Sequence, residues 1–202
     1  SLTLEKDTMV DGVKNSDQLT GGSIQASLDM LWKSGDTTTL KNNEVRGYEY
    51  YRNELDKLAK SFADVMNSIN KEKHPDTTGT DQSFLVSKDG GDITAATIGI
   101  NPDWVSGKVY INPGNKNSDL NTPVLDMIEA MQSTWPYKGT NLNGYGSITA
   151  TSPDLKNNSF ADYMNHISTI LANDSHSNTI DLKTNVTVLN GIQNSRDSMS
   201  GV

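Results

Sequence analysis

The longest regular pattern of apolar positions lies between residues 48 and 69, where the spacing alternates between three and four. A seven-residue apolar repeat keeps one seam of a helix facing a partner. We predict a long packed helix over residues 43–73, because the residue before a proline is forced out of helical geometry and His74 precedes Pro75. The positions predicted to pack are Tyr48, Tyr51, Leu55, Leu58, Phe62, Val65 and Ile69.

A second long amphipathic stretch covers residues 159–193. Ser159 and Asp162 form a shortened capping box, which indicates the start of a helix. The eleven-residue step from Leu171 to Leu182 lets a helix continue nearly straight. A break within the apolar-poor residues 173–179 is the alternative. The positions predicted to pack are Phe160, Tyr163, Ile167, Ile170, Leu182, Val186 and Leu189.

Shorter elements are predicted elsewhere in the chain. Residues 22–32 and 123–133 have the pattern of brief amphipathic helices, the second with Thr122 as its cap and a proline at the first helical position. Between the long helices, short apolar runs bounded by Gly, Pro, Asn and Asp are typical of strands, and Asn143-Gly144 favours a tight turn. The strand-like runs are Phe84-Leu85-Val86, Ile98-Gly99-Ile100, Lys108-Val109-Tyr110-Ile111 and Ser147-Ile148-Thr149.

Together these elements predict an α+β fold. Two long packed amphipathic helices and shorter helices would carry an inserted, loop-rich module of short β-strands. We assign the helical domain to residues 1–73, which include a first strand-like segment, and residues 159–202, with the inserted module at residues 74–158. The apolar stripe of the first long helix is expected to bury against the second, which is available in the same chain.

Composition narrows the classes of function. The chain has 202 residues, a net charge of −8 and no cysteine. A surface that binds nucleic acid needs clustered Lys and Arg, and no such cluster is present, so nucleic acid is not an expected partner. No apolar run approaches the roughly 20 residues that span a bilayer, and Ser1-Leu2-Thr3-Leu4 is not a signal peptide. The absence of cysteine excludes disulfides and thiolate nucleophiles.

Candidate metal chemistry is sparse. The three histidines are His74, His166 and His176, and the last two lie about 80° apart around a helix axis, which is not the spacing of a metal pair. The segment Asp89-Gly90-Gly91-Asp92 lacks the alternating oxygen ligands and the closing Glu of a calcium loop. A plain turn is therefore the preferred interpretation of that segment.

The tryptophans offer the remaining candidate site. Asp103-Trp104 and Trp135-Pro136-Tyr137 are consistent with an aromatic ligand platform, but tryptophan in a chain of low apolar content more often anchors a small core. We therefore assign no catalytic, cofactor-binding or metal-ligating residue. The chain is expected not to be an enzyme.

Several short motifs, taken in their order along the chain, resemble the flagellar hook-associated protein 1 family. Gly21-Gly22-Ser23-Ile24-Gln25-Ala26 is similar to a turn that starts a helix in that family, and Leu55-Asp56-Lys57-Leu58-Ala59 to the core of its next helix. Asn67-Ser68-Ile69-Asn70 and the stretch 92–101 follow in the family's order. The most specific motif resembles "R-x-S-V-S-G-V", with Met199 in place of Val; its matching residues are Arg196, Asp197, Ser198, Ser200, Gly201 and Val202.

The resemblance implies a structural function without a reaction or a cofactor. Members of the family form the junction between the flagellar hook and its filament, outside the cell, and serve motility. They are exported unfolded through the flagellar type III pathway. For the full-length protein the implied partners are the hook protein, hook-associated protein 3, copies of itself in a ring and an export chaperone; no membrane or nucleic acid is implied.

Relative to that family, the chain corresponds to a central-to-carboxy-terminal fragment without the terminal helices, which form the family's inner tube. We therefore expect the chain alone to be monomeric. A secreted helical adhesin or surface-layer module of similar architecture is the alternative function. A small-molecule or metal-binding enzyme domain is the third.

Overall fold

The computed structural model describes residues 9–10, 13–14, 30–31, 33, 46–72, 74–75, 79–114, 121–142 and 144–201. The fold is α+β, as predicted from the sequence. By the density of its contacts the chain divides into a compact unit, Ser1–Met164, and a second unit, Asn165–Val202. The first long helix and the predicted insertion therefore belong to one compact unit.

The central helix of the compact unit is α1, Tyr48–Lys71. It begins after Gly47, whose N–H donates to the carbonyl of Lys33 over 2.7 Å. It ends at Glu72, whose extended backbone leads toward Pro75. The predicted helix is confirmed, but it starts later and ends earlier than expected. Residues 43–45 and 73 lie outside the described residues.

The buried face of α1 is wider than the predicted stripe and includes positions outside it. Leu58, Val65 and Ile69 are buried as predicted, but Tyr48 is 63% exposed, so its assignment to the packed core is wrong. The remaining stripe positions, Tyr51, Leu55 and Phe62, are half-buried. The whole set of buried positions includes polar residues and spreads over a wider arc of the helix than the predicted stripe does, at 100° per residue. It comprises Tyr50, Glu54, Leu58, Ser61, Ala63, Val65, Met66, Asn67, Ile69 and Asn70.

Short antiparallel strand pairs accompany the helices. In the amino-terminal region β1, Met9–Val10, pairs with β2, Val13–Lys14. In the predicted module β3, Leu85–Ser87, pairs with β4, Ile98–Ile100, so that Leu85 faces Ile100. Both module strands were predicted from the sequence. The hairpin of β3 and β4 packs against α1.

The predicted strand at Lys108–Ile111 is irregular backbone instead. Val109 is buried as a strand residue would be, but the polar groups of its neighbours bond to side chains. Gln82 Nε2 donates to the Lys108 carbonyl over 3.0 Å, and the Tyr110 N–H donates to Gln82 Oε1 over 3.2 Å. An amide side chain therefore replaces the neighbouring strand that a ladder would need.

Two helices of the module follow. The predicted helix at residues 123–133 is confirmed as α2, Thr122–Gln132, which packs on α1; its cap is Asn121 rather than Thr122. The predicted strand Ser147-Ile148-Thr149 is wrong, because these residues lie in a short helix, α3, Gly146–Ala150. The Tyr145 carbonyl accepts hydrogen bonds from the N–H groups of Ile148 and Thr149, which closes a helical turn. Of the helix predicted at residues 22–32, Met30 and Leu31 are helical. Residues 22–29 and 32 lie outside the described residues.

Trp135 lies at the centre of the apolar core of the module. Its side chain is fully buried, and its ring lies 5.6 Å from Phe160 and 5.8 Å from Tyr137 between centroids. Phe160 in turn meets Phe62 of α1 edge to face at 5.4 Å. The interpretation of the tryptophans as core anchors is therefore confirmed for Trp135, whereas Trp104 is 40% exposed.

The longest helix is α4, Phe160–Ser200, which continues without a break through residues 173–179. The predicted capping box is present: the Ser159 hydroxyl donates to Asp162 Oδ2 over 2.8 Å, and the Asp162 N–H donates to Ser159 Oγ over 3.1 Å. Only the first turn of α4, through Met164, belongs to the compact unit. Phe160 and Tyr163 are buried there.

In the second unit, most of α4 is exposed. Ile167 is buried and Ile170 half-buried, but Leu182, Val186 and Leu189 are exposed by 65%, 47% and 55%, so their assignment to the packed core is wrong. Within the compact unit, α1 packs against the β3–β4 hairpin and α2, and its Phe62 meets Phe160 of the first turn of α4.

Candidate functional site

Polar side chains occupy the buried face of α1. Glu54, Ser61, Asn67 and Asn70 all lie on this helix and are buried, although their side chains are polar. Burying a polar group costs free energy unless it is hydrogen-bonded. These positions therefore need specific partners, and those partners define the candidate site.

Asn67 binds the backbone of β3 at a single residue. Its Nδ2 donates to the carbonyl oxygen of Leu85 over 2.7 Å, and its Oδ1 accepts from the N–H of Leu85 over 3.0 Å. The side-chain amide thus makes the pair of hydrogen bonds that a neighbouring antiparallel strand would make. Both backbone groups of Leu85 are satisfied on the side that faces α1.

Asn70, one turn later, binds backbone groups from separate segments of the module. Its Nδ2 donates to the carbonyls of Gln82 and Tyr110, over 2.7 and 3.0 Å. Its Oδ1 accepts from the N–H of Asn112 over 2.8 Å. Three of the four hydrogen bonds open to an amide side chain are therefore made to main-chain atoms.

Two amides on the module complete the arrangement. Gln82 bridges the main chain of Lys108 and Tyr110, as described above. Asn112 Nδ2 donates to the Glu72 carbonyl over 2.9 Å, and Asn112 Oδ1 accepts from the Gly114 N–H over 2.9 Å. Asn67, Asn70, Gln82 and Asn112 are all buried, and we call them the amide cluster. It joins the main chain of the module to α1.

Glu54 forms a second buried polar centre. The Tyr163 hydroxyl donates to Glu54 Oε2 over 2.5 Å, and Lys156 Nζ lies 3.9 Å from the same oxygen. Burial, and then the hydrogen bond to the carboxylate, raise the pKa of Tyr163 well above its usual range. The hydroxyl therefore stays protonated and remains a donor to Glu54. This contact ties the first turn of α4 to α1.

A tight turn places Lys156 beside Glu54. Lys156 and Asn157 have φ angles of 55° and 59°, and the Asn158 N–H donates to the Leu155 carbonyl over 3.0 Å. Positive φ at a residue other than glycine is unfavourable, so the turn requires support from its surroundings. Asp154 supplies some, because its Oδ1 accepts from the Lys156 N–H over 2.9 Å.

Tyrosine–carboxylate pairs fix the segment after α2. The Tyr145 hydroxyl donates to Asp126 Oδ2 over 2.8 Å, and the Tyr137 hydroxyl donates to Glu129 Oε1 over 3.0 Å. The Tyr137 oxygen also accepts from the Leu142 N–H over 3.1 Å. Burial raises the pKa of both tyrosines, and the carboxylates add to the increase. Both acidic residues of α2, Asp126 and Glu129, therefore hold the chain that follows the helix.

These raised pKa values predict instability at alkaline pH. A tyrosine whose pKa is higher in the folded state holds its proton there and loses it on unfolding, so its stabilising contribution is complete below about pH 10 and falls above it. For Tyr145 and Tyr163 together we expect a loss of up to about 2.7 kcal/mol in the free energy of unfolding per pH unit above 10. Urea unfolding at pH 9, 10 and 11 measures this slope. A slope that Tyr163→Phe leaves unchanged would contradict the assignment.

An open groove of about 610 Å³ lies beside α1, and its lining includes Asp64, Ser68, Lys71 and Asp81. Its polar groups already bond to one another. The Ser68 hydroxyl donates to the Asp64 carbonyl over 2.6 Å, and Lys71 Nζ lies 3.5 Å from Asp81 Oδ1. A ligand that used these groups would share them with internal contacts.

Candidate metal ligands are dispersed. Within the described ranges, no group of three or more His, Asp or Glu is placed to hold a metal ion. His74 Nε2 lies 3.3 Å from the Tyr110 carbonyl, His166 is half-buried and His176 is exposed. No helix in the part of the chain that the structure describes is long and apolar enough to cross a membrane.

The segment at Asp89 is a turn, as the preferred interpretation had it. Asp89 Oδ1 accepts from the Ser87 hydroxyl over 2.5 Å and from the Gly91 N–H over 3.0 Å. Gly90, with φ of 77°, provides the left-handed position of the turn. The Asp89 carboxylate therefore has a structural role within the hairpin.

Comparison of this chain with protein-family models, with curated proteins and with solved structures finds no match. The resemblance to the hook-associated family therefore rests on the sequence motifs themselves. Of the most specific motif, Arg196, Asp197 and Ser200 lie in the last turns of α4. Gly201 follows with a φ of 71°, and Val202 lies outside the described residues.

Sequence reasoning missed the amide cluster and the pair of Glu54 with Tyr163. One signal was available for Asn67 and Asn70: asparagine is a poor helix former in helix interiors, yet two of them stand three residues apart within a long predicted helix. Glu54 offered no such signal, since glutamate is ordinary on an exposed helix face.

Proposed function

We propose that this chain is part of a structural component of the bacterial flagellum, located at the junction between hook and filament. The observation that carries the proposal is the ordered set of motifs, above all residues 196–202 with their match to "R-x-S-V-S-G-V". The proposal places the protein outside the cell after type III export. Its partners are then the hook protein, hook-associated protein 3, copies of itself and an export chaperone.

The surface of α4 supports a role in a helical assembly. Leu171, Leu182, Leu189 and Ile192 are each about half exposed or more on this helix of 41 residues. Covering such a side chain is worth about 1 kcal/mol, half of the value for full burial. Packing against helices of neighbouring subunits would supply that cover. An exposed stripe of this length favours an assembly protein over an enzyme domain.

The compact unit supports the same role by its internal bonding. The amide cluster and the Glu54–Tyr163 pair engage buried polar groups in hydrogen bonds between elements distant in sequence. Satisfied buried networks specify one arrangement of a core and make it rigid. A component that joins the hook to the filament needs such rigidity.

Labelling of isolated flagella tests the location. Antibodies raised against this chain, detected with gold particles by electron microscopy, are expected to mark the boundary between hook and filament. Antibody that has been pre-adsorbed with the purified chain is the control and should give no label. Label spread over the cell surface, with none on flagella, would contradict the proposal and favour the adhesin or surface-layer alternative.

A further inference from the structure

We infer that the amide cluster is a backbone-recognition site, through which α1 holds the β3–β4 hairpin independently of most of the hairpin's own side chains. The exposed side chains between residues 86 and 107 are then an exchangeable outer surface, while α1 keeps the hairpin in place. This device does not depend on the flagellar assignment.

The bonds from α1 to the hairpin end on main-chain atoms. Asn67 takes both backbone groups of Leu85, and Asn70 takes the carbonyl of Gln82. Nearer the start of the helix, Asp56 Oδ1 accepts from the Ala95 N–H over 2.8 Å, in the loop that joins the two strands of the hairpin. Main-chain atoms are the same whatever the side chain, so this attachment tolerates changes of sequence.

The burial of the module agrees with that division. Among residues 79–114, all of which the structure describes, the only buried ones are Gln82, Leu85, Val109 and Asn112. None of these lies between residues 86 and 107. At the hairpin's outer positions Ile100 and Val105 are 60% and 92% exposed. The part between the attachment points therefore contributes no fully buried residue, and its half-buried apolar side chains include Val86, Ile93 and Ile98.

The first arm of the test exchanges that surface. A variant that combines Lys88→Gln, Ala96→Ser, Ile100→Thr, Val105→Ser and Ser106→Ala is expected to melt within about 3 °C of the parent, because exposed substitutions away from buried contacts have small effects. Asn67→Leu is the matched comparison, since it removes both bonds to Leu85 with little change in volume. It is expected to lower the Tm by roughly 5 to 10 °C.

The second arm distinguishes hydrogen bonding from packing. In Asn67→Asp a carboxylate faces the Leu85 carbonyl at neutral pH, so one bond becomes a repulsion between acceptors. At about pH 4 the protonated acid regains a donor. Relative to the parent at the same pH, the Tm deficit of Asn67→Asp should shrink on acidification, whereas that of Asn67→Leu should not. Asp64, Lys71 and Asp81 line the same groove as Asn67, and comparison with the parent at the same pH removes any contribution that they make to the deficit.

Three outcomes would overturn the inference. One is a surface-exchange variant that melts as low as Asn67→Leu, which would assign the attachment to hairpin side chains. Another is a Tm deficit of Asn67→Asp that does not change with pH. If the Asn67 variants fail to fold, amide hydrogen exchange in the unaltered chain decides. The N–H groups of Leu85 and Asn112 should be as protected as those in the middle of α1, and fast exchange of either would refute the site.

Discussion

Trp135→Ala is expected to lower the free energy of unfolding by about 3 to 5 kcal/mol, the usual cost of truncating a buried aromatic side chain. Trp135 is fully buried, and its ring packs between those of Phe160 and Tyr137. Its indole N–H also donates to the Ala130 carbonyl over 3.2 Å, so truncation would leave that carbonyl without this donor. Urea unfolding followed by far-ultraviolet circular dichroism measures the loss.

Trp104→Ala provides a control of the same residue type. Trp104 is 40% exposed and lies in the outer hairpin region, 6.4 Å from Phe84 between ring centroids. Its truncation should cost on the order of 1 kcal/mol, since much less area and no closed cavity are involved. Equal losses for the two variants would contradict the core described here.

Tyr163→Phe is expected to cost roughly 1.5 to 3 kcal/mol, the range for a hydrogen bond to a charged group. The substitution keeps the ring and removes the hydroxyl that donates to the buried Glu54 carboxylate. Lys156, 3.9 Å from that carboxylate, would then compensate it only in part. Unfolding of the variant in urea, compared with the parent at pH 7, gives the cost.

A double-mutant cycle separates this contact from general packing. Glu54→Gln removes the buried charge, so Tyr163→Phe should cost less in that background, with a coupling of at least about 1 kcal/mol. Tyr48→Phe is the control, because Tyr48 is exposed and its substitution should change stability by less than about 0.5 kcal/mol. Additive costs at Glu54 and Tyr163 would show that the two side chains do not stabilise one another.

The regular elements with strong local signals were predictable from the sequence. The three-four spacing identified α1, Pro123 marked the start of α2, and the capping box at Ser159 and Asp162 marked the start of α4. The hairpin strands β3 and β4 also followed from short runs bounded by turn residues. Each of these signals acts over a few residues, so no knowledge of the tertiary structure was needed.

The buried face of α1 was harder to predict because polar residues share it. A hydrophobic pattern assigns Asn67, Asn70 and Glu54 to solvent, although their hydrogen bonds to distant segments allow them to be buried. Partners such as Leu85 and Tyr163 are 18 and 109 residues away along the chain. Long-range pairs of this kind leave no periodic trace in the sequence.

The predicted packing of the carboxy-terminal part of α4 was wrong for the opposite reason. Leu182 and Leu189 have the spacing of a packed stripe, yet both are exposed. A periodic pattern predicts that a face is apolar, and it does not predict which surface covers that face. Under the proposed function, the cover comes from neighbouring helices in the assembly.

The most direct test of the proposed function is electron microscopy of cells from which the gene encoding this chain has been deleted. Without a junction the filament has no base on which to grow, so the deletion strain should carry hooks that lack filaments and should not swim. Restoring the gene should restore both filaments and motility. Full-length filaments on the hooks of the deletion strain would contradict the proposal.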